Sequence, residues 1–342
     1  MGLRASRRRC PAGWRTAYRK ALSGAPRAAN PMGLGFLDSN VVQGILLADV
    51  WAGIVLLFAG YFVKGPRSQL LRIAGWIVFA LYWPFQAPHF FWGDEPDPIN
   101  GWFTLAGPLF LLWIAYHEWK SYKWGEDPAA LRWFAGASAV SAATYFVIFQ
   151  IPGVQLWIMK STAEQSAWLY NVLFSHASGH TAYVPADSLT ADGYDIRLTD
   201  SSDPYAVTVV LACTAVQSMM IFVGAIACLV ASRRRKWGAY LMTVPTIYFL
   251  NLFRNAGIVY GYHDLQWSMF GLEPFEWMHS YVGKIGSLLA LIVIALGVFT
   301  TLPELHSNIL DLFDLRKRRA PGFFKQPPPK EPTSAPAPES SS

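Results

Sequence analysis

The stretch Tyr205–Ser232, YAVTVVLACTAVQSMMIFVGAIACLVAS, is apolar for long enough to cross a lipid bilayer, which takes about 20 residues. Six further stretches have the same character: Val41–Val63, Leu70–Phe91, Gly101–Trp119, Leu131–Pro152, Trp237–Tyr262 and His279–Leu302. Backbone inside a bilayer has no water to bond, so such runs are helical. The expectation is an all-α polytopic membrane protein of about seven transmembrane helices, with one extracytoplasmic insert over residues 153–204. Composition agrees, with 53% hydrophobic and only 15% charged residues. The three cysteines, Cys10, Cys213 and Cys228, have no paired spacing, which argues against a disulfide framework or a cysteine zinc site. No nucleic-acid motif and no internal repeat is present.

The insert divides in two. MKSTAEQSAWLYNVLF has helical spacing at Trp168, Leu169, Val172 and Leu173, and YVPADSLTADGYDIRLTDSSDP has turn signals and β-prone runs. Residues 306–342 are basic and then rich in Pro and Ser, and they read as a disordered cytoplasmic tail. The main body is therefore residues 32–305.

Loop charge orients the spans. Alternation puts sixteen Lys and Arg residues on one side, among them Lys64, Arg67, Arg72, Lys120, Lys123, Arg132 and Arg233–Lys236, and two on the other, Lys160 and Arg197. Cytoplasmic loops carry the excess of positive charge, so the insert lies outside and the C-terminus inside. Residues 1–31 hold eight basic residues on the wrong side for this rule. The reading that removes the conflict is a native start at Met32.

Three chemically active residues then share one face of the membrane. Cys213 lies eight residues into its span and Arg254 eight residues from the end of the next. Each is about 12 Å below the outer boundary at a rise of about 1.5 Å per residue. His279 sits at the mouth of the last span. Ionisable groups inside a bilayer are read as functional by default. A cation beside a thiol favours the thiolate, a fixed guanidinium stabilises an oxyanion, and an imidazole shuttles protons. The set suits acyl transfer through a thioester. The bland readings are a Cys that fills space, an Arg that snorkels and an interfacial His.

At these residues the chain resembles the exosortase/archaeosortase family, most closely its archaeosortase branch. The cysteine motif reads Ala212-Cys213-Thr214-Ala215-Val216-Gln217-Ser218, the arginine motif Asn251-Leu252-Phe253-Arg254-Asn255, and the third position is His279, followed by Gly283 and Lys284. The likeness covers about residues 36–305. Ala215 stands where family members often have Gly, a departure expected to bear on helix packing. The resemblance implies a membrane-embedded, sortase-like cysteine transpeptidase with Cys213, Arg254 and His279 as its catalytic residues. Its implied clients are secreted surface proteins, surface-layer glycoproteins among them. Each carries a C-terminal sorting signal of the Pro-Gly-Phe type, an apolar transmembrane segment and a basic cluster. The implied acyl acceptor is a membrane phospholipid head group, and no cofactor is implied.

Neighbouring polar residues are candidates for site support. Gln217 is one turn from Cys213 on a helix, and Asn251 and Asn255 flank Arg254. Lys284 would bind a lipid phosphate or pair with an acid such as Asp49. His176 and His180 would share a helical face, as zinc ligands do, but Gly179 weakens that helix and no HExxH glutamate follows. They read as part of the solvated insert, and no metal site is expected. Two other classes fit the residues: an intramembrane cysteine protease that releases clients by hydrolysis, and a transporter or lipid-binding protein. The transporter predicts a dispensable Cys213 and paired broken helices, which the sequence does not show.

Overall fold

The computed structural model describes residues 40–92, 98–190, 193–199 and 205–318. The basic stretch 1–31 and the Pro/Ser-rich end lie outside the described residues. Helix α1 is Asn40–Phe62 and α2 is Pro66–Tyr82, followed by a short 3₁₀ turn and α3, Ala87–Trp92. Then come α4, Pro98–Trp124, α5, Ala129–Gln150, and α6, Pro152–Ser178. Strands β1 (Ala182–Tyr183), β2 (Gly193–Leu198) and β3 (Tyr205–Val210) lead into a 3₁₀ turn, Leu211–Thr214, and α7, Val216–Ala227. Helix α8 is Arg233–Val259 and runs on into a π-helical turn, Tyr260–Asp264. After a loop, a π-helical turn, Trp277–Val282, opens α9, Gly283–Thr301, and α10, Pro303–Asp314, closes the described chain.

Among the described residues, five segments are long and apolar enough to cross a membrane: Val41–Phe62, Pro66–Trp92, Ile99–Trp124, Ala129–Gln150 and Pro274–Thr301. They coincide with the first four expected spans and the last. The chain is a helical, multi-pass membrane protein. Close approach of α1 and α2 depends on small residues, as in membrane helix pairs generally. A Cβ on Gly53 would fall 2.8 Å from Phe79 Cβ, and one on Gly75 would fall 2.9 Å from Leu57.

The expected fifth span is not one helix. Tyr205–Val210 is a β-strand, and only the 12 residues of α7 are helical beyond it. The β-branched run Val207, Thr208, Val209 and Val210 takes the pleated conformation it prefers, because β2 is available to pair with it. The three strands form an antiparallel sheet in the order β1-β2-β3, with a bulge between Ile196 and Arg197. Of the four residues at helical spacing in the insert helix, Leu169 is buried and Trp168, Val172 and Leu173 are exposed, whereas Met159, Thr162, Ala163, Ser166, Ala167 and Tyr170 also face inward. Small side chains let α6 lie close to α8.

Two cores result. One fills the helical bundle, and the second joins α6, the sheet, Cys213 and the end of α8 through Ala163, Tyr170, Ile196, Leu198, Val209, Leu252 and Ala256. The end of the bundle opposite the second core is laced by charge. Arg72 is fully buried and donates to Glu118 at 2.7 Å and to Asp127 at 2.5 Å. Arg318 donates to Ser121 at 2.8 Å and pairs with Glu126, and Arg235 pairs with Glu304. The tail boundary at residue 305 therefore shifts. Leu305, Ile309 and Leu312 recur at helical spacing, and α10 packs Leu305, Leu312 and then Leu315 inward. The first part of the expected disordered tail is folded.

Asp195 on β2 is 1% exposed. Its Oδ1 accepts from the Thr208 hydroxyl at 2.8 Å, while Oδ2 is buried without a hydrogen bond. Burial raises this carboxyl above its ordinary value of 3.8, against the lowering effect of the Thr208 bond. A carboxyl raised in the fold favours folding when protonated, and that contribution is lost as pH rises through the folded pKa. Asp195→Asn, which is neutral at every pH, is expected to raise the melting temperature at about pH 7 to 8. The gain should vanish toward about pH 4. Thermal unfolding in detergent across that range measures it, and a lower melting temperature at neutral pH would refute the argument.

Candidate active site

Cys213 lies in the 3₁₀ turn between β3 and α7 and is 8% exposed. It is not inside a transmembrane helix, so the depth expected from helical rise does not apply to it. The turn is held from the inside by Thr214, whose hydroxyl donates to the Leu211 carbonyl at 2.6 Å. The next residue, Ala215, has φ 59° and ψ 8°, the left-handed region. That reversal ends the turn and starts α7 in a new direction. A family glycine at this position is explained by the conformation itself, since only Gly adopts it without strain. The departure at Ala215 thus bears on the turn that presents the thiol, not on helix packing.

Helix α8 fixes the turn from the other side. Asn251 Nδ2 donates to the Cys213 carbonyl at 2.7 Å, and Asn255 Nδ2 donates to the same oxygen at 3.1 Å. The two amides are one helical turn apart and share a face. Asn255 also lies 3.4 Å from Ser166 Oγ of α6, and its Oδ1 accepts from Arg254 Nη1 at 3.3 Å. One buried amide therefore links the cysteine turn, the insert helix and the guanidinium. Of the two asparagines expected to fix Arg254, Asn255 does so, and Asn251 serves the cysteine backbone alone.

His279 reaches the same place from the head of the last membrane segment. Cys213, Asn255 and His279 line one narrow cleft whose opposite wall is Ile196, Val207 and Val209 of the sheet. The His279 ring stacks on Phe275 at 5.2 Å with the planes 4° apart. Arg254 is half-buried one residue away from Asn255, and its Nε lies 3.1 Å from where a Cβ on Gly283 would be. Gly283 lets the arginine helix close against α9, one turn past His279. The thiol, the imidazole and the guanidinium are thus brought to one end of the bundle, as expected.

The remaining candidates divide. Gln217 is exposed, and the left-handed residue between it and Cys213 removes the shared helix face. It faces Tyr145 on α5 instead. Lys284 is half-buried at the head of α9. Asp49, the acid suggested for it, has its Oδ2 buried without a hydrogen bond. Cys228 is buried at the far end of α7 beside Tyr61. His176 and His180 do not share a face, because Gly179 takes φ 75° and ends α6 between them. His180 instead meets His263 and Asp264. Sequence spacing gave no sign of that cluster, which two separate elements assemble.

The chain is a polytopic helical membrane protein with a thiol pinned at one end of its bundle, beside an arginine helix. The chain belongs to the transmembrane exosortase family, whose model matches residues 48–296. Archaeosortase A of Haloferax volcanii is 30% identical over 233 residues, which cover 62% of this chain and 71% of that protein. No solved structure matches the chain.

A left-handed Ala is strained by about 1 kcal/mol or more relative to Gly. Ala215→Gly is therefore expected to stabilise the protein by about 1 kcal/mol while leaving the Cys213 turn in place. Thermal unfolding in detergent measures this, and destabilisation would show that the turn is not held as described.

Proposed function

We propose that the protein is a membrane-embedded cysteine transpeptidase of protein sorting. It cleaves secreted surface proteins at a C-terminal signal of the Pro-Gly-Phe type and joins the new C-terminus to a membrane phospholipid head group. Membership of the exosortase family and the likeness to an archaeosortase support the sorting role. The single observation that carries the chemistry is the cleft shared by Cys213 and His279, with Arg254 bonded to the Asn255 that holds the cysteine turn. In this reading the basic, ion-paired end of the bundle and the C-terminus face the cytoplasm, and the cleft faces outward.

The steps follow from the residue types. A client helix enters laterally and brings its scissile carbonyl to Cys213. The thiol proton passes to His279 as sulfur attacks the carbonyl carbon. Arg254 holds the resulting oxyanion, assisted by the unpaired N–H groups that every helix N-terminus offers, here those of α7. The C–N bond breaks, and the leaving amine takes the proton from His279. The client's new C-terminus remains as a thioester on Cys213. A head-group nucleophile then attacks the thioester and loses its proton to His279, the C–S bond breaks, and His279 returns the proton to the Cys213 sulfur. Water in the same position would give hydrolysis, and the mass of a processed client's C-terminus separates the two. Asn251 and Asn255 act as positioning residues.

Cys213→Ser is expected to abolish client processing at normal membrane levels, since a hydroxyl of far higher pKa is not ionised by one Arg and one His. Cys228→Ser, at the other end of α7, should process normally. Client cleavage followed by immunoblot reads both, and normal processing by a stable Cys213→Ser protein would end the thioester mechanism.

Arg254→Lys separates charge from shape. Lysine is a point charge without the planar fork of arginine, and loss of an aimed oxyanion donor costs about 10²–10³ in rate. The substitution is expected to lose activity by that factor at every pH. If Arg254 served only to ionise the thiol, activity would recover as pH rises toward the ordinary thiol pKa. Cleavage rates of purified protein across a pH series decide between them.

A further inference from the structure

His180, His263 and Asp264 come together from two elements. His180 follows the Gly179 cap of α6, and the other two end the π-helical turn after α8. One donor atom from each lies within 4.8 Å of the other two. Asp264 Oδ1 is 3.9 Å from His180 Nε2 and 3.5 Å from His263 Nδ1. The Asp264 side chain is 7% exposed, and its Oδ1 has no hydrogen bond.

The hydrogen-bonding roles of the outer partners fix what faces inward. His180 Nδ1 lies 3.0 Å from the Thr199 carbonyl oxygen. A carbonyl only accepts, so Nδ1 carries the proton, and a neutral His180 presents the lone pair of Nε2. That lone pair faces a carboxylate oxygen. Two acceptors facing each other in a partly buried place repel unless something positive lies between them. Asp264 is oriented in the same way, for Tyr170 donates to its Oδ2 at 2.6 Å and leaves Oδ1 turned toward the histidines. A ring N–H held by a carbonyl and a carboxylate held by a hydroxyl are the supporting contacts that metal-binding His and Asp residues usually have.

We propose that His180, His263 and Asp264 bind a divalent cation of the zinc class at the junction of the insert helix and the arginine helix. Two imidazoles and one carboxylate suit zinc, which takes three protein ligands and leaves a fourth position for water. Tetrahedral zinc with bonds of about 2.0–2.1 Å sets its donors about 3.3 Å apart. The observed 3.5 and 3.9 Å require only small side-chain adjustments to meet that spacing. The ion joins the two elements where Phe174 and Tyr260 already stack at 4.4 Å with their planes 6° apart. It closes the far end of the seam that Ser166 and Asn255 begin, and it stands apart from the cleft chemistry proposed for Cys213. The one other positive species that fits is a second proton on a histidine.

The test uses full-length protein carrying an affinity tag without histidines, purified in detergent and stripped with EDTA. It is equilibrated with Zn²⁺, and bound metal is counted by elemental mass spectrometry. The expected result is one tightly held zinc per chain. His263→Ala and Asp264→Asn should lose it, and His176→Ala should keep it. Tyr170→Phe leaves all three ligands in place and should weaken binding about 10- to 100-fold, the usual effect of removing a supporting contact. It also guards against variants that fail to fold. Absence of saturable zinc binding by the wild-type chain would overturn the proposal and assign the gap to a proton. Equal binding by wild type, Tyr170→Phe and the ligand variants would overturn it as well.

Discussion

The structure around the thiol depends on one carbonyl oxygen. Cys213 sits in a turn between a strand and a short helix, and neither element can use the carbonyl of that residue in its own ladder. Two amides from α8 supply the missing bonds, Asn251 at 2.7 Å and Asn255 at 3.1 Å. The site is buried, where an unpaired carbonyl costs about 1–3 kcal/mol. The requirement to pair it sets the position of the cysteine turn on the arginine helix. Because Asn255 also accepts from Arg254, the guanidinium is placed by the same contact. Backbone satisfaction, rather than attraction between charges, brings thiol and cation to one place.

This explains what could be read in the chain and what could not. Five spans were legible because helix is the conformation an apolar run of that length takes in lipid. The convergence of Cys213, Arg254 and His279 on one end followed from alternation of the spans. Local geometry was not legible. Tyr205–Ser232 is as apolar as a true span, and hydropathy does not register that four of its first six residues are β-branched and that they have a strand to pair with. The left-handed Ala215 was hidden for a related reason, since no residue of high turn propensity marks it. Gln217 failed because its placement assumed an unbroken helix. The insert helix was found, but its inner face was misjudged in part. Of its large apolar residues at helical spacing only Leu169 faces inward, and α6 packs mainly through Ala163, Ser166, Ala167 and Tyr170.

The other end of the bundle is held by different physics. Arg72 and Glu118 are both fully buried, and a buried ion pair is retained only when nearly every donor finds an acceptor. Here Arg72 has two carboxylates, the Gly60 carbonyl at 3.3 Å and Ser68 Oγ at 3.4 Å. Arg72, counted in the sequence as a loop charge, is a fully buried residue of α2. It is a fixed point between α2, α4 and the loop after α4, and removing either buried partner would leave an uncompensated charge worth about 3–5 kcal/mol. Arg318 reaches the same loop from beyond α10, so the start of the tail is anchored by contacts of the same kind.

Between these ends, α8 is the element both depend on. At a rise of about 1.5 Å per residue its 27 residues span about 40 Å, from Arg235 paired with Glu304 to Asn255 and Arg254. Beyond Val259 the helix widens into a π-turn, and His279 lies in a second π-turn at the head of the last span. Such turns are rare and gather at functional sites, because the widened register turns side chains to directions a regular helix does not offer. In this protein one carries His263 and Asp264 toward His180, and the other carries His279 toward the cleft. Met278 in the second turn packs on Gly261 in the first, where a Cβ would fall 2.4 Å from Met278 Cε. The missing side chain at residue 261 leaves room for the Met278 thioether between the two irregular turns, and the imidazole facing Cys213 is located by that contact as well as by its own helix.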